Sequence, residues 1–263
     1  MKLLCIDIGN TNVNFAVVEK QSIYDAAAFS TQKLRKDAHY IRDFEALIDR
    51  YPISAIAYCS VVPELNLRLE SLFPSKLPIF QLTDKSALGM PLAYPNPKEI
   101  GHDRIANAIA AQEYYELPAI IIDLGTAITF DVVTQKGYEG GIIAPGFELM
   151  SRYLNEQTAL LPKLDTSKLA FAPNDQEAFG RSTVEAMSLG ISVGFSGMVD
   201  ALLQHLRKHI DSTDAQTTTL ISTGGSISQL NSEWAAETKC VDHLTLIGLA
   251  EAYQRWFNKE ACN

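Results

Sequence analysis

The sequence predicts an α/β protein of two similar lobes, and three observations carry that expectation. A strand–turn–strand segment near the N-terminus recurs at mid-chain. Apolar stretches of strand length alternate with amphipathic helical stretches along most of the chain. The apolar share, 47% of 263 residues, is enough for two separate cores. The recurrence divides the chain into an N-terminal lobe over residues 1–117 and a C-terminal lobe over residues 118–263.

The recurring segment is the most informative feature. Leu4 to Lys20 read LCIDIGNTNVNFAVVEK, and Ile120 to Lys136 read IIIDLGTAITFDVVTQK. Overlaid without a gap, apolar run matches apolar run, Asp7 matches Asp123, and Gly9 matches Gly125. Each copy predicts a β-branched strand, a turn containing Asp-x-Gly, and a second strand. The glycine permits a tight turn or lets a ligand approach the backbone. The aspartate falls where a buried strand reaches the surface. Asn10, Thr11 and Thr126 add short polar side chains and exposed N–H groups beside it. Such a turn can hold phosphate oxygens while the carboxylate holds a hydrated cation.

The remaining elements follow in order. Ser22–Ser30 extends the first sheet. Asp37–Tyr51 has helical periodicity, with Tyr40, Ile41, Phe44, Leu47 and Ile48 on its apolar face. Ser54–Ser60 predicts a buried strand, Glu64–Phe73 a short helix and Leu77–Leu82 a further strand. Pro91–Pro97 holds three prolines and predicts a loop. Gly101-His102-Asp103-Arg104 then opens a helical run over Ile105–Tyr115. After the second hairpin, Gly140, Gly141 and Gly146 around Pro145 predict a strand, a forced loop and a helix start. Gly190, Gly194 and Gly197 lie in a helical stretch flanked by Glu185 and Asp200, which suits close helix packing at a soluble interface. Thr218–Thr223 is a strand leading into Gly224-Gly225-Ser226, and Leu246–Phe257 is an amphipathic helix. Asn155–Leu164 is compatible with a lid or an interface between subunits.

Composition excludes several function classes. The formal net charge is −9, with no basic stripe, so neither nucleic acid nor an anionic membrane surface is an expected partner. No apolar run is expected to reach the roughly 18–20 residues needed to span a bilayer. The opening Met1-Lys2-Leu3-Leu4-Cys5 is interrupted by Asp7 too early for a signal segment, and the expected location is cytoplasmic. Cys5, Cys59, Cys240 and Cys262 form no CxxC pair and are expected to be reduced thiols. His205 and His209 share a helical face without the glutamate of a zinc protease. In so acidic a chain, phosphate must be held by backbone N–H groups, a few cations and a bound metal.

An aspartate in the first turn of a helix offsets the helix dipole, which accounts for Asp103 alone but not for Arg104. A base beside a guanidinium at a helix tip suits binding and deprotonating an acidic alcohol. With Asp7-Ile8-Gly9-Asn10-Thr11, Asp123-Leu124-Gly125-Thr126-Ala127 and Gly140–Gly146, this segment resembles type III pantothenate kinases in order and spacing. The resemblance extends to Gly180-Arg181-Ser182-Thr183 and Thr223-Gly224-Gly225. The visible departure is His102, where that family often carries a small residue. Duplicated Asp-Gly-Thr hairpins also resemble the actin, sugar kinase and Hsp70 ATPase superfamily. That resemblance implies two lobes of the actin-like ATPase (ribonuclease H-like) fold with an active-site cleft between them.

The same resemblance implies a set of roles. The reaction would be phosphorylation of pantothenate by ATP, the first step towards coenzyme A. Asp7, Ile8, Gly9, Asn10, Thr11, Asn12, Val13 and Asn14 would form the first phosphate loop, with Asp7 holding Mg²⁺ through water. Asp103 would be the general base. Tyr94, Gly101, His102, Asp103, Arg104 and Thr183 would bind pantothenate, with Thr183 reaching from a neighbouring subunit of a homodimer. Asp123 would bind a monovalent cation, K⁺ or NH₄⁺. Thr126 would touch the ATP phosphates, and Gly224 and Gly225 the nucleoside.

Other functions compete on the same residues. One is a kinase for a sugar or another small hydroxylated acid. A second is a non-catalytic regulatory accessory factor, since some chains resembling this family are named for toxin gene expression. Intact Asp7, Asp103 and Asp123 argue against that role, because a pure binding module needs no base. An Hsp70-like chaperone ATPase lacks room for a peptide-binding domain.

Overall fold

In a computed structural model, residues 1–36, 41–73, 75–165, 178–211, 217–225 and 236–262 are described. The chain forms two compact units. The first comprises Met1–Glu116, Val133–Gly140 and His243–Asn263, the second Leu117–Val132 and Gly141–Asp242. The final helix, which the sequence reading grouped with the C-terminal lobe, packs in the first unit.

The first unit is built on β1 (Lys2–Ile8), β2 (Asn12–Glu19), β3 (Ser22–Ser30), β4 (Ile53–Ser60) and β5 (Ile79–Gln81), with sheet order β3-β2-β1-β4-β5. β1 pairs antiparallel with β2 and parallel with β4. Leu4, Ile6 and Ile8 of β1 face a core completed by Leu34, Phe44 and Leu69. On the opposite face, β1 packs against the C-terminal helix, so Leu3 and Cys5 are buried as well. A strand covered on both faces needs a continuous apolar run rather than alternation, which is what residues 3–6 supply. The helices of this unit are α1 (Thr31–Lys36), α2 (Ile41–Arg50), α3 (Asn66–Glu70) and α4 (His102–Tyr114). The helix expected over Asp37–Tyr51 is described from Ile41, its first residues lying outside the described set. The strand expected over Leu77–Leu82 is a three-residue edge strand.

The second unit repeats the plan. β6 (Ala119–Leu124), β7 (Ala127–Thr134), β8 (Gly137–Pro145), β9 (Thr219–Thr223) and β10 (Lys239–Cys240) form a sheet ordered β10-β9-β6-β7-β8. Read from the other edge, this is the order of the first sheet, element for element. β6 pairs parallel with β9, as β1 does with β4. The sequence echo therefore reports two sheets of one topology, each opening on the same hairpin. The helices α5 (Phe147–Glu156) and α6 (Thr183–Asp211) belong to this unit, and α7 (Leu244–Cys262) to the first.

α6 corrects one expectation. By length and composition alone it is long and apolar enough to cross a membrane, contrary to the expectation that no such run occurs. Its glycines and serines dilute the apolar character on reading, yet no charged residue stands between Glu185 and Asp200. Met187, Ile191, Phe195, Val199 and Leu203, spaced by one turn, are buried in the core of the second unit. One face of α6 therefore packs into that core, while Val184 and Val193 on the helix are exposed. Cys5 and Cys59 are buried free thiols as expected, whereas Cys240 is exposed. The rings of His205 and His209 are in contact, centroids 4.5 Å apart and tilted by 47°. Among the described residues there is no cluster of three or more metal-ligating side chains.

Candidate active site

Asp7 lies at the C-terminal end of β1, the central strand of its sheet. Register places Asn14 of β2 on one side and Cys59 of β4 on the other. Asn14 Nδ2 donates to Asp7 Oδ2 at 3.4 Å, and Cys59 Sγ lies 3.4 Å from Asp7 Oδ1. The turn that follows is tied down from two directions. Gly9 N donates to Asn12 O at 2.9 Å. From the first residue of α1, Thr31 Oγ1 donates to Gly9 O at 2.7 Å and Thr31 N to Thr11 O at 2.8 Å. A Cβ on residue 9 would sit 3.0 Å from Asn12 O. Asn10, Thr11 and Asn12 are exposed, whereas Ile8 and Val13 are fully buried and serve the core. Of the expected phosphate loop, these two therefore present backbone alone.

The Gly101–Arg104 segment starts α4. Asp103 Oδ1 accepts a hydrogen bond from Arg104 N at 2.9 Å, so the carboxyl folds back over the helix start. A Cβ on residue 101 would overlap that same oxygen, which explains glycine there although its φ of −56° is ordinary. Asp103 keeps some residue surface exposed, but its carboxyl is largely enclosed. Desolvation raises its pKa above the ordinary aspartate value, against a smaller opposing pull from the Arg104 N–H and guanidinium. His102 Nδ1 is buried with no hydrogen-bond partner among the described residues. Arg104 is only 6% exposed, and its Cζ lies 5.9 Å from the centre of the Tyr138 ring.

Tyr94 joins this group from the proline-rich loop, its ring 5.8 Å from that of Tyr138. A Cβ on Gly140 would come within 3.4 Å of Tyr94 Cε1. Cys59 connects the two carboxylates. Its thiol pKa is raised first by burial, then by the charges of Asp7 and Asp103. The first unit thus brings together Asp7, Asn14, Asp103, Arg104 and Tyr94.

The second unit assembles a counterpart. Asp123 lies on β6 in register with Thr223 of β9. Gly125 N donates to Ala127 O at 3.2 Å, a turn one residue tighter than that at Gly9. Gly146, which precedes α5, donates its N–H to Thr126 O at 3.1 Å, and a Cβ there would overlap the Gly125 and Thr126 carbonyls. Gly224 has φ +100°, and a Cβ on it would sit 2.6 Å from Leu124 N and 2.7 Å from Asp123 Oδ1. Asp123, Thr126 and Gly224 are therefore neighbours, while the position of a Cβ on Gly225 is open space. Thr183 begins α6 and lines an apolar cavity of about 610 Å³ with Met150, Tyr153 and Met187. No described contact links it to Asp123, Thr126 or Gly224.

Two residues of the first unit escaped sequence reading. Cys59 could have been found, because a parallel strand following the first hairpin must place a residue beside Asp7. Tyr138, just past the second repeat, carried no signal of its own.

The two sheets, of one order and each with a carboxylate at the end of its first hairpin strand, have the architecture of actin-like ATPases and sugar kinases. A ROK family glucokinase from Streptomyces griseus, solved with glucose and AMPPNP, aligns with a TM-score of 0.50 at 12% identity over 95% of this chain and 98% of that one. At that identity the likeness shows the fold alone. The family described as type III pantothenate kinase matches residues 3–205. The type III pantothenate kinase of Methylacidiphilum infernorum is 39% identical over 206 residues, covering 78% of this chain and 72% of that protein. That of Streptomyces griseus subsp. griseus is 34% identical over 96% of this chain and 98% of its own length. The chain belongs to the type III pantothenate kinase family.

Proposed function

We infer that this chain transfers the γ-phosphoryl group of ATP to the primary alcohol of pantothenate, giving 4'-phosphopantothenate at the entry to coenzyme A synthesis. The observation that carries the reading is the enclosed Asp103 carboxyl beside the buried Arg104 guanidinium in a chain of this family. Asp103 is the general base: it accepts the alcohol proton as the oxygen attacks phosphorus, and desolvation makes it a stronger proton acceptor than an ordinary aspartate. Phosphoryl transfer otherwise depends on positioning and on charge stabilisation. Arg104 suits the pantothenate carboxylate, because its planar fork can donate to both oxygens. His102 Nδ1, buried without a partner among the described residues, is available to a polar group of the substrate. Tyr94 binds pantothenate from the proline-rich loop, and Thr183 contacts it from the partner subunit of a homodimer.

ATP is held by the 7–14 turn, by Thr126, and by Gly224 and Gly225. Asp7 is the fitting anchor for Mg²⁺. It is a hard oxygen donor with no second carboxylate or histidine clustered for a protein-only cage among the described residues. That suits an ion which keeps its waters and phosphate oxygens. Bound there, Mg²⁺ would neutralise charge on the phosphates. Asp123, whose carboxylate lies close to Gly224, is the residue assigned to a monovalent cation, K⁺ or NH₄⁺. The expected location is the cytoplasm.

A coupled assay of ADP release tests the reading, using Mg-ATP and pantothenate with and without K⁺. Turnover that requires pantothenate and falls about 10²–10⁴-fold in Asp103→Asn supports it. ATP binding without pantothenate-dependent turnover overturns it and returns the sugar kinase and regulatory alternatives.

A further inference from the structure

We propose that Tyr138 is a positioning residue for pantothenate recognition, its ring holding both the Arg104 guanidinium and the Tyr94 ring in place. The proposal rests on the reading of Arg104 and Tyr94 as substrate contacts.

Tyr138 is fully buried, near the start of a strand whose later residues are exposed or half-buried. Its ring meets two segments of different origin. The Tyr94 ring, from the proline-rich loop, lies 5.8 Å away at 49°. Arg104 Cζ, from the first turn of α4, lies 5.9 Å from the ring centre, within reach of a cation–π contact. The backbone of Tyr138 fixes the loop as well. Tyr138 N donates to Pro91 O at 2.9 Å, and Ala93 N donates to Tyr138 O at 3.0 Å. Gly137, with φ +117°, permits that approach, since a Cβ there would overlap Pro91 O.

A guanidinium that must offer a carboxylate two parallel N–H groups needs its plane fixed before the ligand arrives. Arg104 is withdrawn from water, so bulk solvent does not select that plane. The Tyr138 ring, 5.9 Å from Arg104 Cζ, contributes to that selection through a cation–π contact, which favours one placement of a flat cation. Tyr138 touches neither the transferred phosphoryl group nor the base in this scheme. Its effect therefore falls on pantothenate recognition rather than on ATP.

The test is steady-state kinetics of Tyr138→Leu and Tyr138→Phe beside wild type, with each substrate varied in turn. Tyr138→Leu is expected to raise the pantothenate KM about tenfold or more with the ATP KM unchanged, and Tyr138→Phe to restore it. A merely structural role would move both KM values together, and that result overturns the proposal. So does a folded Tyr138→Leu enzyme with an unaltered pantothenate KM. If Tyr138→Leu does not accumulate as folded protein, Tyr138→Met serves the same comparison with the same two outcomes. Wild-type enzyme without pantothenate-dependent turnover is a separate result, which overturns the functional reading and this proposal with it.

Discussion

Gly101 lies directly beneath the Asp103 carboxylate: the side-chain oxygen that accepts the Arg104 N–H occupies the place a Cβ on residue 101 would need. Adding that single carbon must turn the carboxyl away from the helix start. Gly101→Ala is therefore expected to lower kcat by about 10²-fold, since a base displaced by about 1 Å loses its alignment with the attacking alcohol. Circular dichroism and Tm should stay close to wild type, because the backbone at this position is ordinary. Unchanged kcat in a folded Gly101→Ala enzyme would contradict the assignment of Asp103 as base.

The raised pKa of Asp103 makes a second prediction, concerning stability. Its folded-state value lies above the ordinary 3.8, chiefly through desolvation. Sites of this kind favour the protonated carboxyl on folding. The favourable contribution is present below the unfolded pKa and is lost as pH rises through the folded one. At neutral pH the ionised group thus opposes folding. Asp103→Asn is expected to raise Tm at pH 7 while nearly abolishing turnover, and the gain should vanish as the pH approaches 3.8. Thermal denaturation of both proteins across that range decides it. The same shift places the acidic limb of the wild-type kcat/KM profile above the usual carboxylate range.

Gly224 tests the second unit. Its φ of +100° disfavours any side chain, and a Cβ would meet Leu124 N and Asp123 Oδ1 at 2.6 and 2.7 Å. Gly224→Ala is expected to cost more than about 1 kcal/mol in denaturant unfolding. Because the displaced group is the Asp123 carboxylate, activation by K⁺ should require several-fold more cation. Wild-type K⁺ dependence in that variant would remove Asp123 from the cation site.

Much of this arrangement was legible in the sequence, and the reasons are physical. The hairpin echo could be read because both copies need the same apolar run to be buried on two faces and the same glycine to turn. Asp7 and Asp123 stood out by recurring at the end of the repeated strand, and Asp103 by the adjacent Arg104, which the helix dipole does not explain. Tyr138 was illegible, since its importance comes from Tyr94 and Arg104 converging on its ring, and neither distance nor plane is written in spacing. The assignment of the last helix was illegible for the same reason. α7 is amphipathic, and that pattern does not say which sheet it covers. The answer lies in long-range contacts: Gly248 fits against the Ala106 carbonyl, and Arg255 donates to Gln112, Glu113 and Leu88 O.

Those contacts yield a fourth expectation. A Cβ on residue 248 would overlap Ala106 O, so Gly248→Val must force α7 away from α4. A loss of about 1–3 kcal/mol in denaturant unfolding is expected. Arg255→Ala should be destabilising too, since its guanidinium, 17% exposed, bridges Glu251 on its own helix and Glu113 on α4. Wild-type stability in both variants would mean that α7 contributes little to the first unit.

The membership of α7 in the first unit also bears on how the protein is made. A ribosome delivers the chain from residue 1 onward, and domains fold as their residues emerge. Apart from a short excursion at 133–140, the residues of the second unit leave the ribosome as one continuous run. Those that cover the second face of β1 follow that run. The half of the protein begun first is therefore finished last. Until residues 243–262 emerge, Leu3 and Cys5 wait for the helix that covers them, and nascent chains halted before residue 243 should expose that surface to chaperones.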